Sequence, residues 1–201
     1  MILSVAEKLA MNNPVRAAFQ RRYEARKLLR LGGPVPGGRV LEMGCGRGVG
    51  SEIILTAFGA QSVDAFDLDP HMAALARKRL ARFGDRARVA TGDAEKIEAA
   101  ADTYDAVFDF GIIHHVPGWK RAVAEAFRVL KPGGRFYTEE VYVSFVAHPL
   151  VKALADHPRE AWFTHERYGG ALAEAGFSIL GHERFLNLFG WFVAEKPEGS
   201  S

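Results

Sequence analysis

The chain of 201 residues holds a single cysteine, Cys45, so no internal disulfide can form and a secreted disulfide scaffold is excluded. No run approaches the roughly 20 apolar residues that a membrane-spanning helix needs. Glu7 and Lys8 interrupt the apolar N-terminal stretch where a signal-peptide core would stand. Charge of one sign is lacking too. The 26 Lys and Arg against 24 Asp and Glu leave a formal net charge of +2, too little to demand a nucleic-acid partner. There is no internal repeat and no low-complexity linker; only the tail at 197–201 reads as disordered. His148, His157 and His165 are spaced too irregularly for a metal site, so no metal is expected. These absences leave one cytoplasmic domain, with a length sufficient to bury a substantial core.

What is present is an alternation of strand and helix patterns. Strands are expected at 39–43, 62–67, 87–91, 105–110 and 135–141, and helices at about 48–58, 70–83 and 118–130. The strands are rich in Val, Phe and Ala without clean alternation, which points to a parallel sheet covered on both faces. Lys131, Pro132, Gly133 and Gly134 read as a helix stop and tight turn feeding the fifth strand. Residues 144–175 read as mainly helical. The runs 177–185 and 188–196 then lie too close together for a crossover helix and should pair antiparallel. Ahead of the sheet, a break at Asn12, Asn13 and Pro14 separates two helical patterns, with Asn13 as cap. The second pattern carries Val15, Ala18, Phe19, Tyr23 and Arg26 along one stripe and a basic face opposite. The expected fold is α/β, Rossmann-like and doubly wound: a mostly parallel seven-stranded sheet with a C-terminal antiparallel hairpin and helices on both faces. It forms a single domain over 1–196, divided into an N-terminal helical cap (1–37), a ligand-binding half (38–141) and lid helices with the hairpin (142–196).

Four features fall at the carboxyl ends of successive strands, where open α/β sheets bind ligands. The first is the loop at 42–48, with Glu42 at a strand tip and glycines at 44, 46 and 48. Its spacing is G-x-G-x-G; the third glycine of a dinucleotide fingerprint would fall at Val49. Its amides and the helix start suit a carboxylate, and Glu42 suits an ammonium. The second is Asp67, placed to accept from both hydroxyls of a ribose, with Asp69 as the helix cap before Pro70. The third is Asp93 in the segment 92–95, placed to accept from an adenine amine. The fourth is the segment 109–115, ending in His114 and His115. A zwitterionic amino acid, a ribose and an adenine joined in one molecule satisfy all of these together, and S-adenosyl-L-methionine is that molecule.

With these residues in order, the chain resembles the class I S-adenosylmethionine-dependent methyltransferases, and more narrowly the subgroup that includes ubiquinone and menaquinone biosynthesis methyltransferases. The matching pieces are 40–48, 66–72, 92–95, 104–116 and 129–135, which together cover about residues 38–141. The resemblance implies roles for individual positions. Gly44, Gly46 and Gly48 line the methionine moiety, with Cys45 as a small packing residue among them and Glu42 supporting the loop. Asp67 holds the ribose, Leu68 packs on the adenine, and Asp93 with Ala94 faces the adenine edge. Asp109 and Phe110 begin the segment beneath the sulfonium and the acceptor; many relatives carry a small polar residue where Asp109 stands. His114, His115 and Tyr23 are the candidate catalytic residues. Each histidine has two readings, a general base or acceptor-pocket residue, and a turn residue bonded to backbone; the turn reading is preferred for both, and more so for His115.

The reaction so implied is in-line displacement, with S-adenosyl-L-homocysteine as product. It depends mainly on alignment, which can supply roughly 7–11 kcal/mol of barrier lowering. The chain lacks the Asn/Asp-Pro-Pro-aromatic motif of amino-directed DNA methyltransferases and the Pro-Cys nucleophile of cytosine carbon methylation. A small-molecule or lipid-like acceptor is therefore expected, in an apolar pocket drawn from Phe19, Tyr23, Val141, Tyr142, Phe145, Val146, Leu150, Trp162 and Phe163. The alternatives are an RNA or protein methyltransferase, suggested by the basic run at Arg77, Lys78, Arg79, Arg82, Arg86 and Arg88, and a non-catalytic cofactor-binding protein. The basic run also reads as a solvated helix face. The cationic N-terminal helix admits peripheral contact with an anionic membrane.

Overall fold

The computed structural model describes residues 14–146 and 162–199. Asn13, His148, Leu150 and His157 lie outside the described residues. The described chain begins with helix α1 (Pro14–Phe19), which runs through a π-helical turn (Gln20–Glu24) into α2 (Ala25–Gly32). There follow β1 (Arg39–Met43), α3 (Val49–Thr56), β2 (Ser62–Asp67), α4 (Pro70–Leu80) and β3 (Ala87–Thr91). Then come β4 (Tyr104–Phe110), a 3-10 turn (Ile113–His115), α5 (Trp119–Val129) and β5 (Leu130–Val141). The last elements are α6 (Val143–Val146), α7 (His165–Glu174), β6 (Ser178–Phe185) and β7 (Phe189–Glu195).

The seven strands form one sheet in the order β3-β2-β1-β4-β5-β7-β6. The first five pair in parallel, and β7 pairs antiparallel with both β5 and β6. The chain winds outward in opposite directions on either side of β1 and β4. The gap between their carboxyl ends is thus the switch point where such sheets open a crevice. Alternate residues of the central strands enter opposite layers, as the two-residue period of a strand requires. Leu41, Met43, Val107 and Phe136 join the layer beneath α5 and α7, whereas Val40, Ala106, Phe108 and Tyr137 join the one beneath α2, α3 and α4.

Two local expectations are corrected. Strand β5 begins at Leu130, five residues before the expected start. Tyr104 pairs with Leu130 and Ala106 with Arg135, so the four residues 131–134 loop out between two paired stretches. Gly133, at φ +77°, and Gly134 turn this excursion onto Lys196, whose backbone bonds both of them. The expected turn is present, but as a bulge inside the strand.

The second correction concerns the N-terminal helix. Val15, Phe19 and Tyr23 are 79%, 49% and 40% exposed, and Ala18 and Arg26 also face outward. Gln20, Glu24, Ala25 and Leu28 face the sheet instead. The π-helical turn inserts an extra residue into the helical repeat, so the phase of a regular helix does not hold across it. Buried polar contacts then take the place of an apolar stripe. Arg16 bridges Glu24 and, at 3.2 Å, Glu139, whose other oxygen accepts from the Trp191 indole at 3.1 Å. Burial pushes Glu139 well above the usual carboxylate range.

Candidate cofactor and acceptor site

The glycine loop follows β1 directly. Gly44, Gly46 and Gly48 all have positive φ, at +65°, +52° and +80°. At Gly44 the reason is also steric, because a Cβ there would come within 2.6 Å of the Ile112 side chain. The Gly48 backbone caps α3 in the left-handed conformation, packed against Ala76 and Leu80. Much of the loop's hydrogen bonding is internal. Cys45 N–H donates to the Phe66 carbonyl at 2.9 Å, Gly48 N–H to the Cys45 carbonyl at 2.8 Å, and Gly46 N–H to Asp67 Oδ2 at 2.8 Å. These three amides bond within the protein and fix the shape of the loop. Arginine side chains, Arg16 and Arg47, are the cations on the cavity wall.

Glu42 is buried beneath the loop and accepts from the Ser51 hydroxyl. Gly50 leaves room for it; a Cβ at that position would overlap the carboxyl. Burial pushes Glu42 up to about 8, against the hydrogen bond from Ser51, and the Asp67 and Asp109 charges add to the rise. Burial likewise raises the Cys45 thiol, consistent with a packing residue and not with an activated nucleophile. Asp67 also accepts from Asp69 N–H at 2.9 Å, and Asp69 caps α4 by accepting from His71 N–H.

These elements surround one cavity of about 210 Å³ at the switch point. Of the expected site residues, Glu42, Gly44, Cys45 and Gly46 line its β1 side; Asp67 and Leu68 its β2 side; Asp93 and Ala94 its β3 side; Phe110 and His115 its β4 side. Leu68 is exposed, with its side chain available for packing. Asp93 accepts from Glu95 N–H at 2.9 Å, which shapes the turn presenting it. The wall further includes Phe66, Met72, Gln20 and Ile112, none of which sequence reasoning placed there. Ile112 was legible only as part of its segment, and Gln20 depends on the phase change in the N-terminal helix.

Four expected residues fall elsewhere. Gly48 shapes the start of α3. Tyr23 stacks on Phe19 and meets Trp191 edge-on, on the outer face of the N-terminal helix. Asp109 is fully buried and turns into the protein, accepting from Ile112 N–H at 2.8 Å and the Thr138 hydroxyl at 2.9 Å. Burial, reinforced by the neighbouring Glu140, pushes its carboxyl well above the usual range. The buried His114 sets Nδ1 2.7 Å from Glu140 Oε2, so the turn residue is His114 and not, as expected, His115, which reaches the cavity wall. The strand period explains the difference: Phe110 faces the cavity layer, so Asp109, one residue earlier, points across the sheet. Of the expected acceptor pocket, Tyr142, Val146 and Phe163 are buried in the core, and Phe145 packs on Phe189.

Among the described residues, no helix is long and apolar enough to cross a membrane, and no group of three or more His, Cys, Asp or Glu could hold a metal ion. The arginines of α4 and the turn after it pack locally: Arg79 and Arg82 pair with Glu52, and Arg86 bonds the carbonyls of Ala60 and Gln61.

Comparison with known proteins meets this geometry. The family described as "Methyltransferase domain" matches residues 40–134, which contain the glycine loop, Asp67, Asp93 and the 109–115 segment. The demethylmenaquinone methyltransferase of Clavibacter sepedonicus is 33% identical over 194 residues, covering 83% of this chain and 76% of that protein. The phthiotriol/phenolphthiotriol dimycocerosates methyltransferase of Mycobacterium leprae is 31% identical over 125 residues, 62% of this chain and 44% of that protein. An S-adenosylmethionine-dependent methyltransferase from Mesorhizobium loti shares the fold, with a TM-score of 0.70 at 20% identity over 86% of this chain and 95% of that one. The chain belongs to the class I S-adenosylmethionine-dependent methyltransferases.

Proposed function

We propose that the cavity holds S-adenosylmethionine along the ends of β1, β2 and β3 and passes its methyl group to a small, lipid-like acceptor that enters beside the β4 end. The observation that carries this reading is the convergence of four strand ends on one cavity, three of them bringing chemistry that suits one part of the cofactor each and the fourth an apolar wall. Glu42 and the glycine loop face the methionine end, Asp67 the ribose, and Leu68 with Asp93 and Ala94 the adenine. When bound, the cofactor supplies an electrophilic methyl on a sulfonium.

The protein's contribution is then alignment and the exclusion of water. Phe110, Ile112 and Val116 give the acceptor end an apolar wall. His115 stands on the same wall, and in this reading it takes the proton from a phenol, hydroxyl or activated carbon. The named relatives are a demethylmenaquinone methyltransferase and a phthiotriol/phenolphthiotriol dimycocerosates methyltransferase, and the apolar wall suits a lipid-like acceptor. The test is calorimetric titration with S-adenosylmethionine, followed by incubation with isotope-labelled cofactor and a lipid extract. A lipid gaining one labelled methyl group with wild-type protein but not with Asp67→Ala supports the reading. Labelling confined to RNA or protein would refute the acceptor class.

A further inference from the structure

Glu140, near the end of β5, is fully buried against the 3-10 turn. Its Oε1 accepts from Ile113 N–H at 2.9 Å. Its Oε2 accepts from His114 N–H and Val141 N–H, both at 3.3 Å, and lies 2.7 Å from His114 Nδ1. Asp109 takes the preceding amide, that of Ile112. Two buried carboxylates on adjacent strands therefore hold three consecutive amides of one short turn.

Closing a turn does not call for such an arrangement, because burying carboxylates is costly. Burial indeed drives Glu140 up to about 7, against the hydrogen bonds it accepts. What the arrangement controls is visible on the ligand side. Ile112 packs into the space that a Cβ on Gly44 would need. His115 reaches the cavity wall with its ring packed against that of His114, centroids 4.1 Å apart and planes tilted by 41°.

We infer that Glu140, acting through His114, is a positioning residue that sets the His115 imidazole at the acceptor end of the cavity. The inference rests on the proposed reading of that end as the acceptor site. Glu140 Oε2 accepting from Nδ1–H selects one tautomer of His114 and fixes its ring plane. The fixed ring then gives His115 a surface to pack against, and the hydrogen bonds from Ile113 and His114 N–H fix the turn that carries it.

The test uses Glu140→Gln, which keeps the volume but sets an amide NH₂ against a backbone N–H. The first readout needs no acceptor: histidine-labelled NMR of the full chain saturated with S-adenosylhomocysteine. Wild type should show His114 protonated at Nδ1, and Glu140→Gln should move the ring signals of both His114 and His115 while S-adenosylhomocysteine affinity holds. His114→Gln, which leaves the strand intact, should move the His115 signals in the same direction and serves if the first variant does not fold. The second readout is turnover of a short-chain demethylated naphthoquinol probe. Glu140→Gln should lower kcat by about 10²-fold, the scale of a 1 Å misplacement, with KM for S-adenosylmethionine unchanged. His115→Ala should then add little in that background, since residues acting as a unit are non-additive. Unmoved His115 signals in both variants, or multiplicative losses, would overturn the inference. No turnover of the probe by wild type would count against the acceptor reading alone, and the NMR comparison would still decide the role of Glu140.

Discussion

At the residue scale, the ionisable groups divide by what they face. Asp67 bonds Gly46 N–H with one oxygen and Asp69 N–H with the other, so it shapes the loop while presenting its edge to the cavity. Asp67→Asn removes the charge and sets an amide donor against one of those N–H groups. Hydrogen bonds to charged groups are worth about 1.5–3 kcal/mol, so calorimetry should show S-adenosylmethionine binding weakened by roughly ten- to a hundredfold. Glu42 makes a different prediction, in pH. Its folded carboxyl keeps its proton to about pH 8, whereas the unfolded chain releases it near 4.5. Its contribution to stability is therefore complete below pH 4.5 and is lost as the pH rises to about 8. The slope over that window is about 1.4 kcal/mol per pH unit. Urea midpoints measured from pH 5 to 8 should fall, and Glu42→Gln should lessen the slope by its own share, leaving the part that Asp109, Glu139 and Glu140, raised in the same direction, contribute.

At the scale of elements, the strands and helices around the glycine loop were legible because buried parallel strands and capped helices leave strong local patterns. The Asp69–Pro70 start of α4 was read from the cap alone and is present as such. The N-terminal helix was not legible in the same way. Its apolar stripe is real in sequence, but a π-helical turn and the Arg16–Glu24–Glu139 cluster turn it outward, and no local pattern announces either. The bulge in β5 was read as a turn for the same reason: only its pairing partners, Tyr104 and Ala106, show that the strand continues on both sides. Helix α7 offers a clean element-level test. Thr164 caps it by accepting from Arg167 N–H at 3.2 Å. Thr164→Ala should lower unfolding stability by about 0.5–2 kcal/mol in denaturant titration and leave cofactor affinity unchanged, since neither residue lines the cavity.

At the scale of the whole molecule, the strand order places the switch point between β1 and β4, and residues from all four strand ends read in the sequence meet there, Gly48, Asp109 and His114 excepted. That convergence was legible because each motif sits at a strand's carboxyl end, a rule of topology and not of side-chain detail. The side-chain detail was legible less often. Asp109 and His114 carry suggestive chemistry, yet strand alternation and a buried partner turn them into the protein, where Thr138 and Glu140 hold them. The acceptor side was read too far into the segment after β5, whose aromatic residues Tyr142 and Phe163 belong to the core. What remains on the proposed acceptor wall is apolar, with His115 beside Phe110, Ile112 and Val116. The measurement that bears most directly on this account is mass spectrometry of a lipid extract incubated with the protein and labelled S-adenosylmethionine, beside an Asp67→Ala control. The account predicts a lipid-soluble product heavier by one labelled methyl group, formed together with S-adenosylhomocysteine by wild-type protein only. Equal labelling with Asp67→Ala, or S-adenosylhomocysteine formation with no lipid-soluble product, would contradict it.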